Sequence, residues 1–386
     1  MNARSLCRAP WHKDMLPLGR MPLQTSDFCV VSRKAVCYNG YENERFRVND
    51  MGITLQQIAD LAGVHKSTVD KVIHNRPGVS DAKRQMIRKL LEEHGYESNP
   101  LAKALNYQKN KFTAAVVLPS VDAAPALKVG TELLQQDFRS FNIEVQYYEP
   151  GNAAEEAECL RALCGQNVAG VVVNPIEDHA VADALKKLSD AHIPVITVNS
   201  DIDESARLCF VGQDMEQSGK TAARLIGLLL DGHGEVGIIS SRAMHAVIQR
   251  RHAFESYLPE CSPEVRIAEA VDIQEQPEHA YQQTAALLER NPSLHALFIT
   301  CGCVPDVCRA VRDKGLAGKL KIICYERYPA ITELVESGEI SCTISGELEE
   351  QGRLAMRLLF EYMIYDHIPE QDQVYTKNEI LFRENI

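Results

Sequence analysis

The chain has 386 residues, 45% of them hydrophobic, with 53 Asp/Glu against 41 Lys/Arg and a net charge of -12; that leaves room for two to four folding units and excludes a single small module. The acidic total argues against nucleic acid as a partner of the whole surface, but the charge is unevenly spread. Residues 51–111 carry ten Lys/Arg and six Asp/Glu, whereas residues 112–386 carry 23 and 42, so a small basic module is joined to a large acidic one.

Residues 1–50 show no sustained helical or strand period and mix Pro, Arg and three Cys with the only Trp, Trp11. No fold is expected there. Met51 can serve as a start, which makes the preceding segment an upstream over-translation or a disordered tail; an intact mass from the native cells that includes residue 1 rules out the first. The unit expected over 51–97 begins with two short helical patterns that meet at a glycine. Leu55, Ile58, Ala59 and Ala62 share the inner face of the first, Gly63 supplies the turn, and Val64, Val69, Val72 and Ile73 share the inner face of the second. At 3.6 residues per turn this leaves Lys66, Ser67, Asp70, Lys71 and His74 together on the outward face. The stretch NRPGVS then breaks the helix, Ser80 is placed as an N-cap, and DAKRQMIRKLLEEHG reads as a third helix with Met86, Ile87, Leu90 and Leu91 inward and Gly95 ending it. Three short helices with a basic outer face make a helix-turn-helix module.

Residues 98–111 form a polar, basic linker with a small helical pattern in Leu101, Ala104 and Leu105. From 112 to 386 β-rich runs alternate with amphipathic helices. The expected strands are TAAVVLP, IEVQYYE, VAGVVVNP, IPVITVN, LCFVG, GEVGIIS, EVRIAEAV, ALFITC, KLKIICY and ISCTIS. Such alternation gives parallel, doubly wound sheets, and about ten strands exceed one ordinary sheet, so two similar subdomains with a cleft between them are expected. The fold class is α/β with an all-α headpiece.

Several motifs point to chemistry and fail on context. GHGEVG at 232–237 has the dinucleotide-binding spacing but follows a helix and leads into a strand, the reverse of the order in which a helix N-terminus meets a pyrophosphate. GQDMEQSGKT has six residues between its glycines where a phosphate loop needs four, with Asp214 in the way. Nucleophile-elbow and H-E-x-x-H patterns are absent. The twelve cysteines are scattered with no C-x-x-C pair and no secretory signal ahead of them, which reads as a reduced, cytoplasmic protein. Cys301, Cys303 and Cys308 are the tightest group and lack a partner pair at zinc spacing, so no metal and no cofactor is expected. No run reaches the roughly eighteen apolar residues of a membrane span. Nothing in these patterns requires an enzyme.

TLQQIADLAGVHKSTVDKVIHNRPGVS, EEHGYESNPLAKAL and the two-lobed region that follows resemble the lactose-repressor (LacI/GalR) family of bacterial transcription regulators over residues 51–386. The match is specific in the first sixty of these residues and looser beyond. The resemblance implies a DNA-binding headpiece, a hinge helix and a core like a type I periplasmic sugar-binding protein, in a homodimer on operator DNA controlled by a small ligand. Lys66, Ser67 and Lys71 are then placed to reach base edges in the major groove, unless they are simply a solvated face. Thr54, Thr68 and Ser80 match phosphate-facing positions, with plain capping as the alternative for Thr54 and Ser80. Leu105 matches the hinge leucine that wedges into the minor groove, and Asn99 and Ala102 match beside it; packing of the linker on the core is the bland alternative. Asp70 either pairs along its helix with Lys66 and His74 or accepts from a cytosine amine.

In the core, Asn174, Asn199 and Asp201 fall at strand ends similar to sugar-contacting positions of the family, with loop capping as the competing role. Asp214 matches a position near the lobe crossover that is structural on another reading. Arg250 matches a ligand-contacting Arg, although Ala253 stands where Gly is usual. Cys301-Gly302 replaces a usual Asn-Asp, Glu326 replaces an Asp, and Gly346 replaces a Gln. These departures put an ordinary sugar in doubt, and Arg242, His245, Arg250 and Arg251 together suggest a ligand with a carboxylate or phosphate. The competing class is a solute-binding receptor with the same core and no DNA role, which has no use for Lys66 or Leu105.

Overall fold

The protein is described by a computed structural model that covers residues 53–73, 78–94, 105, 109, 111–202, 206–241 and 244–386, without the side chains of Asp70 and Asp137. His74, Gly95, Asn99, Leu101, Ala102, Ala104 and Arg242, the segment 1–50 and the Asp70 pairing all lie outside the described residues.

Helix α1 spans Leu55–Leu61 and starts on a reciprocal capping box. The Gln57 N–H donates to Thr54 Oγ1, and the Thr54 N–H donates to Gln57 Oε1 at 2.8 Å. Gly63, at φ 62°, turns the chain into α2, Lys66–Ile73, and α3 follows over Asp81–Glu93. Ile58, Ala59, Ala62, Val69, Val72 and Ile87 form one small buried core among the three. Two expectations change. Met86 is 41% exposed while Ile87 beside it is fully buried, because two short helices cover only a narrow stripe of α3. Ser80 stands at the N-cap, but its side chain makes no capping hydrogen bond.

The remainder forms two lobes, each built on a six-stranded sheet. The first sheet has the order β11-β5-β4-β3-β1-β2, from β1 (Phe112–Val117), β2 (Ile143–Tyr148), β3 (Val168–Val173), β4 (Val195–Val198), β5 (Cys209–Gln213) and β11 (Gln373–Thr376). Its helices are α4 (Ala124–Asp137), α5 (Ala153–Leu163), α6 (His179–Asp190) and α12 (Leu348–Tyr365). The second sheet has the order β12-β10-β9-β8-β6-β7, from β6 (His233–Ser240), β7 (Glu264–Asp272), β8 (Ala296–Ile299), β9 (Lys321–Tyr325), β10 (Cys342–Ser345) and β12 (Glu379–Leu381). Its helices are α7 (Met215–Leu229), α8 (His245–Cys261), α9 (Pro277–Arg290), α10 (Val304–Asp313) and α11 (Pro329–Glu336).

All pairings are parallel except β10 with β12. Helices cover both faces, so the central strands are apolar on both sides; Val171, Val172 and Val173 are all fully buried. All ten expected strands are present. The two that the patterning missed, β11 and β12, are edge strands of four and three residues at the C-terminus, each with a single buried residue, so neither alternation nor an apolar run marks them. Around 232–237 the Gly232 N–H closes the end of α7 on Gly227 O at 2.8 Å and His233 opens β6, the geometry of a helix stop and not of a phosphate cradle.

The chain passes between the lobes three times: from β5 into α7, from β10 into α12, and from β11 into β12. All three passages leave the carboxyl ends of strands, so these ends of the two sheets face each other. Thr376 Oγ1 fastens the passages together, reaching Gly346 O at 2.6 Å and Gly212 O at 3.2 Å.

Candidate functional site: an exposed helix face and an interlobe cleft

On α2, Lys66, Ser67 and Lys71 are exposed and Thr68 is half-buried. His65, immediately before the helix, holds Ser67 in place: its Nδ1 lies 2.9 Å from Ser67 Oγ and accepts from the Ser67 N–H. This ordering of Ser67 was not visible in the outward-face pattern, which begins at Lys66. Thr54 is exposed while serving as cap, so the capping role is realised and the hydroxyl remains at the surface. Leu105 is 52% exposed.

At the cleft, the sequence-identified residues divide into those brought together and those held elsewhere. Asn174 follows β3 and is buried, and Asn199 follows β4 in the left-handed region, φ 63°. Their amides meet, Asn199 Nδ2 donating to Asn174 Oδ1 at 3.4 Å. Asp201 is held instead by Arg207, with Nε at 2.8 Å and Nη2 at 2.6 Å, and accepts from Thr197 Oγ1 at 2.8 Å. Asp214 is the N-cap of α7, accepting from the Gln217 N–H at 2.9 Å.

Arg250, on α8, is 7% exposed. Its Nη1 donates to Thr300 O at 3.0 Å, its Nη2 to Gln213 Oε1 at 2.7 Å, and its guanidinium lies 3.6 Å from the centre of the Tyr325 ring. The burial of α8 that places it depends on Gly219 of α7, where a Cβ would sit 2.2 Å from Arg250 O. Glu326 follows β9 at φ 70° and accepts from the Gly346 N–H at 3.3 Å. Burial raises its carboxyl above the usual range, opposed by the charge of Arg250 and by that hydrogen bond. Burial, Glu326 and Asp122 hold the Tyr328 phenol well above its ordinary pKa. Asp122 lies beyond β1 in the first lobe, so its charge is felt across the cleft.

Arg251 is paired with Glu255 at 2.7 Å. The His245 N–H is taken by Glu177. With Arg250 bonded inward, the three described members of the suspected anion-binding group do not converge. Among the described residues the nine cysteines are free thiols, no group of three His, Cys, Asp or Glu is placed to hold a metal, and no helix is long and apolar enough to cross a membrane.

Comparison with known proteins places both parts. Residues 117–365 match the family described as periplasmic binding protein domain, and residues 54–99 match bacterial regulatory proteins, lacI family. The chain belongs to the lacI family. It is 23% identical to catabolite control protein A of Priestia megaterium over 87% of this chain and 99% of that protein. It is 32% identical to the transcriptional regulator TreR of Escherichia coli over 31% of this chain and 38% of that one. Among solved structures, a sugar-binding protein of a Bacillus halodurans sugar transporter superposes with TM-score 0.65 at 25% identity, covering 71% of this chain and 98% of that one. A putative LacI regulator from Bacteroides fragilis superposes with TM-score 0.63 at 20% identity, covering 72% and 98%. A lacI-family helix-turn-helix ahead of a periplasmic-binding type of core makes this lacI-family member a DNA-binding transcription regulator and not a free solute receptor.

The family departures have structural counterparts in the second lobe. Ala253 packs on Gly219, where an added Cβ would be 2.9 Å from it, so the small residue has moved to the facing helix. At Gly302 a Cβ would lie 2.6 Å from Glu275 Oε2, which accepts from the Gly302 N–H at 3.1 Å. Glu275, from the β7–α9 loop, thus brings a carboxylate to the place of the missing Asp. Its Oε1 is buried without a partner, and burial raises its pKa against the bonds from Gly302 and Ser241. At Gly346 a Cβ would be 2.9 Å from Gln351 Nε2 and 3.4 Å from Gln213 Nε2. Gln213, at the end of β5, and Gln351, in the first turn of α12, fill the space of the absent one. Glu275, Gln213, Gln351, Tyr325 and Tyr328 were missed by sequence matching, because each reaches the cleft from a position that the family pattern does not mark.

Proposed function

We propose that this protein is a cytoplasmic, homodimeric repressor without catalytic activity. It binds operator DNA through α2 and is controlled by a small ligand, a sugar or sugar derivative, held between the lobes. The observation that carries the reading is the exposed Lys66, Ser67 and Lys71 face on a capped three-helix headpiece, ahead of a core whose strand ends oppose each other across a cleft. In this reading Thr54, Thr68 and Ser80 face phosphates, Asn99, Ala102 and Leu105 form the hinge contact with the minor groove, and Asp70 and His74 tune base choice. Asn174, Asn199, Arg250 and Glu326 contact the effector, and Asp201 shapes the site through Arg207.

A homodimer is supported by Val129 and Leu133, one turn apart on α4 and 42% and 48% exposed, with Tyr365 at the end of the neighbouring α12 also exposed. Free, scattered thiols are in keeping with a reducing compartment. Ligand control corresponds to a coupling free energy of about 1 to 3 kcal/mol between cleft and headpiece.

A gel-shift with DNA upstream of the protein's own operon, at two salt concentrations, tests the reading. Specific binding that weakens with salt is expected, with Lys66→Ala or Lys71→Ala each weakening it roughly ten-fold. Equal binding to unrelated DNA, or none at low salt, removes it.

A further inference from the structure

Helix α8 starts without a cap of its own. Met244 stands at the N-cap position with no side-chain hydrogen bond, and the first turn holds no acid. The first N–H groups of a 17-residue helix carry the positive end of its dipole and require an acceptor. That acceptor comes from the other lobe. Glu177 takes the His245 N–H with Oε2 at 2.8 Å and Oε1 at 3.0 Å.

The loop that carries Glu177 is fixed on both sides. The Asn174 N–H is bonded to Val117 O at 3.0 Å, and Asp178 caps α6 through the Ala180 N–H at 2.7 Å. Between them the Ile176 N–H donates to Glu156 Oε2 at 3.0 Å. Glu156 is fully buried and its other oxygen has no partner. Burying a carboxyl for one backbone N–H is costly, and what it secures is the position of this loop. The contact with α8 involves no residue of the three crossing segments and ties lobe to lobe directly.

We propose that Glu177 is a built-in latch of the cleft: it caps α8 when the lobes are together and stabilises that arrangement before any effector arrives. The proposal rests on the reading of the cleft as the effector site and adds to it in two ways. The effector acts on a cleft that is already partly held shut, and an anionic group on a ligand meets a carboxylate at the start of α8, not a free helix N-terminus.

Hydrogen exchange read by mass spectrometry tests this on the full chain without DNA or added ligand, in wild type, Glu177→Gln, Glu177→Ala and Glu177→Lys. Gln keeps one acceptor, Ala keeps none and Lys repels the helix end. Exchange over 244–250 is expected to rise in that order, roughly ten-fold for the alanine variant. It is expected to rise as well at 199–202, which follows β4 in the first lobe and lies outside both α8 and the Thr300 segment that Arg250 holds. A rise confined to 244–250 and 300–303 shows a simple helix cap, and no rise at all shows that the bond is not made in solution; either result overturns the latch. Operator binding plays no part in this measurement, so its outcome is separate from that of the gel-shift.

Discussion

The two lobes of the core have sheets of the same size and bring polar groups to the cleft by different routes. In the first lobe the groups sit where strands end: Asn174 directly after β3 and Asn199 directly after β4, with their amides in contact. In the second lobe several strand-end positions are small or apolar, among them Cys301, Gly302 and Gly346. Apart from Glu326, which follows β9, polar groups arrive there from other elements, Arg250 from α8, Glu275 from a loop, Gln213 from the end of β5 and Gln351 from α12. A binding surface is defined by atoms in space, so a carboxylate lost from one position can be supplied from another once the vacated residue is small enough to admit it.

If the second lobe depends on such imported groups, the largest loss should follow from removing the most buried of them. Arg250→Ala leaves Thr300 O and Gln213 Oε1 without their charged donor and opens a space against the Tyr325 ring. Urea unfolding is expected to show a loss of about 3 to 5 kcal/mol. A loss below about 1 kcal/mol would mean that the guanidinium is solvated, and the contrast between the lobes would weaken.

The first lobe has its own buried charge, Glu156, and here the sign is opposite. Burial lifts its pKa to about 7, against the hydrogen bond from Ile176. A carboxyl whose folded pKa lies above its unfolded value near 4.5 favours the fold in its protonated form. The stability it contributes relative to high pH is complete below about 4.5 and is lost as pH rises through about 7. Glu156→Gln retains an acceptor for the Ile176 N–H and no longer titrates. Unfolding measured at pH 5 and pH 8 should find the variant near wild type at the lower pH and about 2 to 3 kcal/mol more stable at the higher. Parallel pH profiles of the two proteins would show that Glu156 is solvated.

The contrast also explains what was readable from the sequence. The headpiece turn at Gly63, the capping residue Thr54 and the ten strands β1 to β10 follow from short-range patterns, because each depends on residues a few positions apart. Met86 was misjudged, since its exposure depends on how far α1 and α2 extend over α3. The edge strands β11 and β12 were missed because they owe their conformation to partners far away in the chain, β5 and β10. Asn174 and Asn199 were legible because they stand directly after β3 and β4, at strand ends that the patterning locates. Glu275 and Glu177 were not, because only the folded chain brings one over Gly302 and the other to α8.

The smallest expected effect gives the sharpest test of this substitution in space. Gly302→Asp restores the residue type usual in the family, but its Cβ would crowd Glu275 Oε2 and its carboxylate would face a second one in a half-buried site. A loss of about 1 to 2 kcal/mol is expected. Glu275→Ala alone leaves the Gly302 N–H without its acceptor and should cost about 1 kcal/mol. In the double variant the aspartate has room, a partner N–H and no opposing charge, so the combined loss should be smaller than the sum of the two single losses by about 1 kcal/mol or more. Additive losses would mean that Glu275 and the family aspartate occupy different places. A favourable coupling would show that the carboxylate of the second lobe has moved along the chain while staying in place in the cleft.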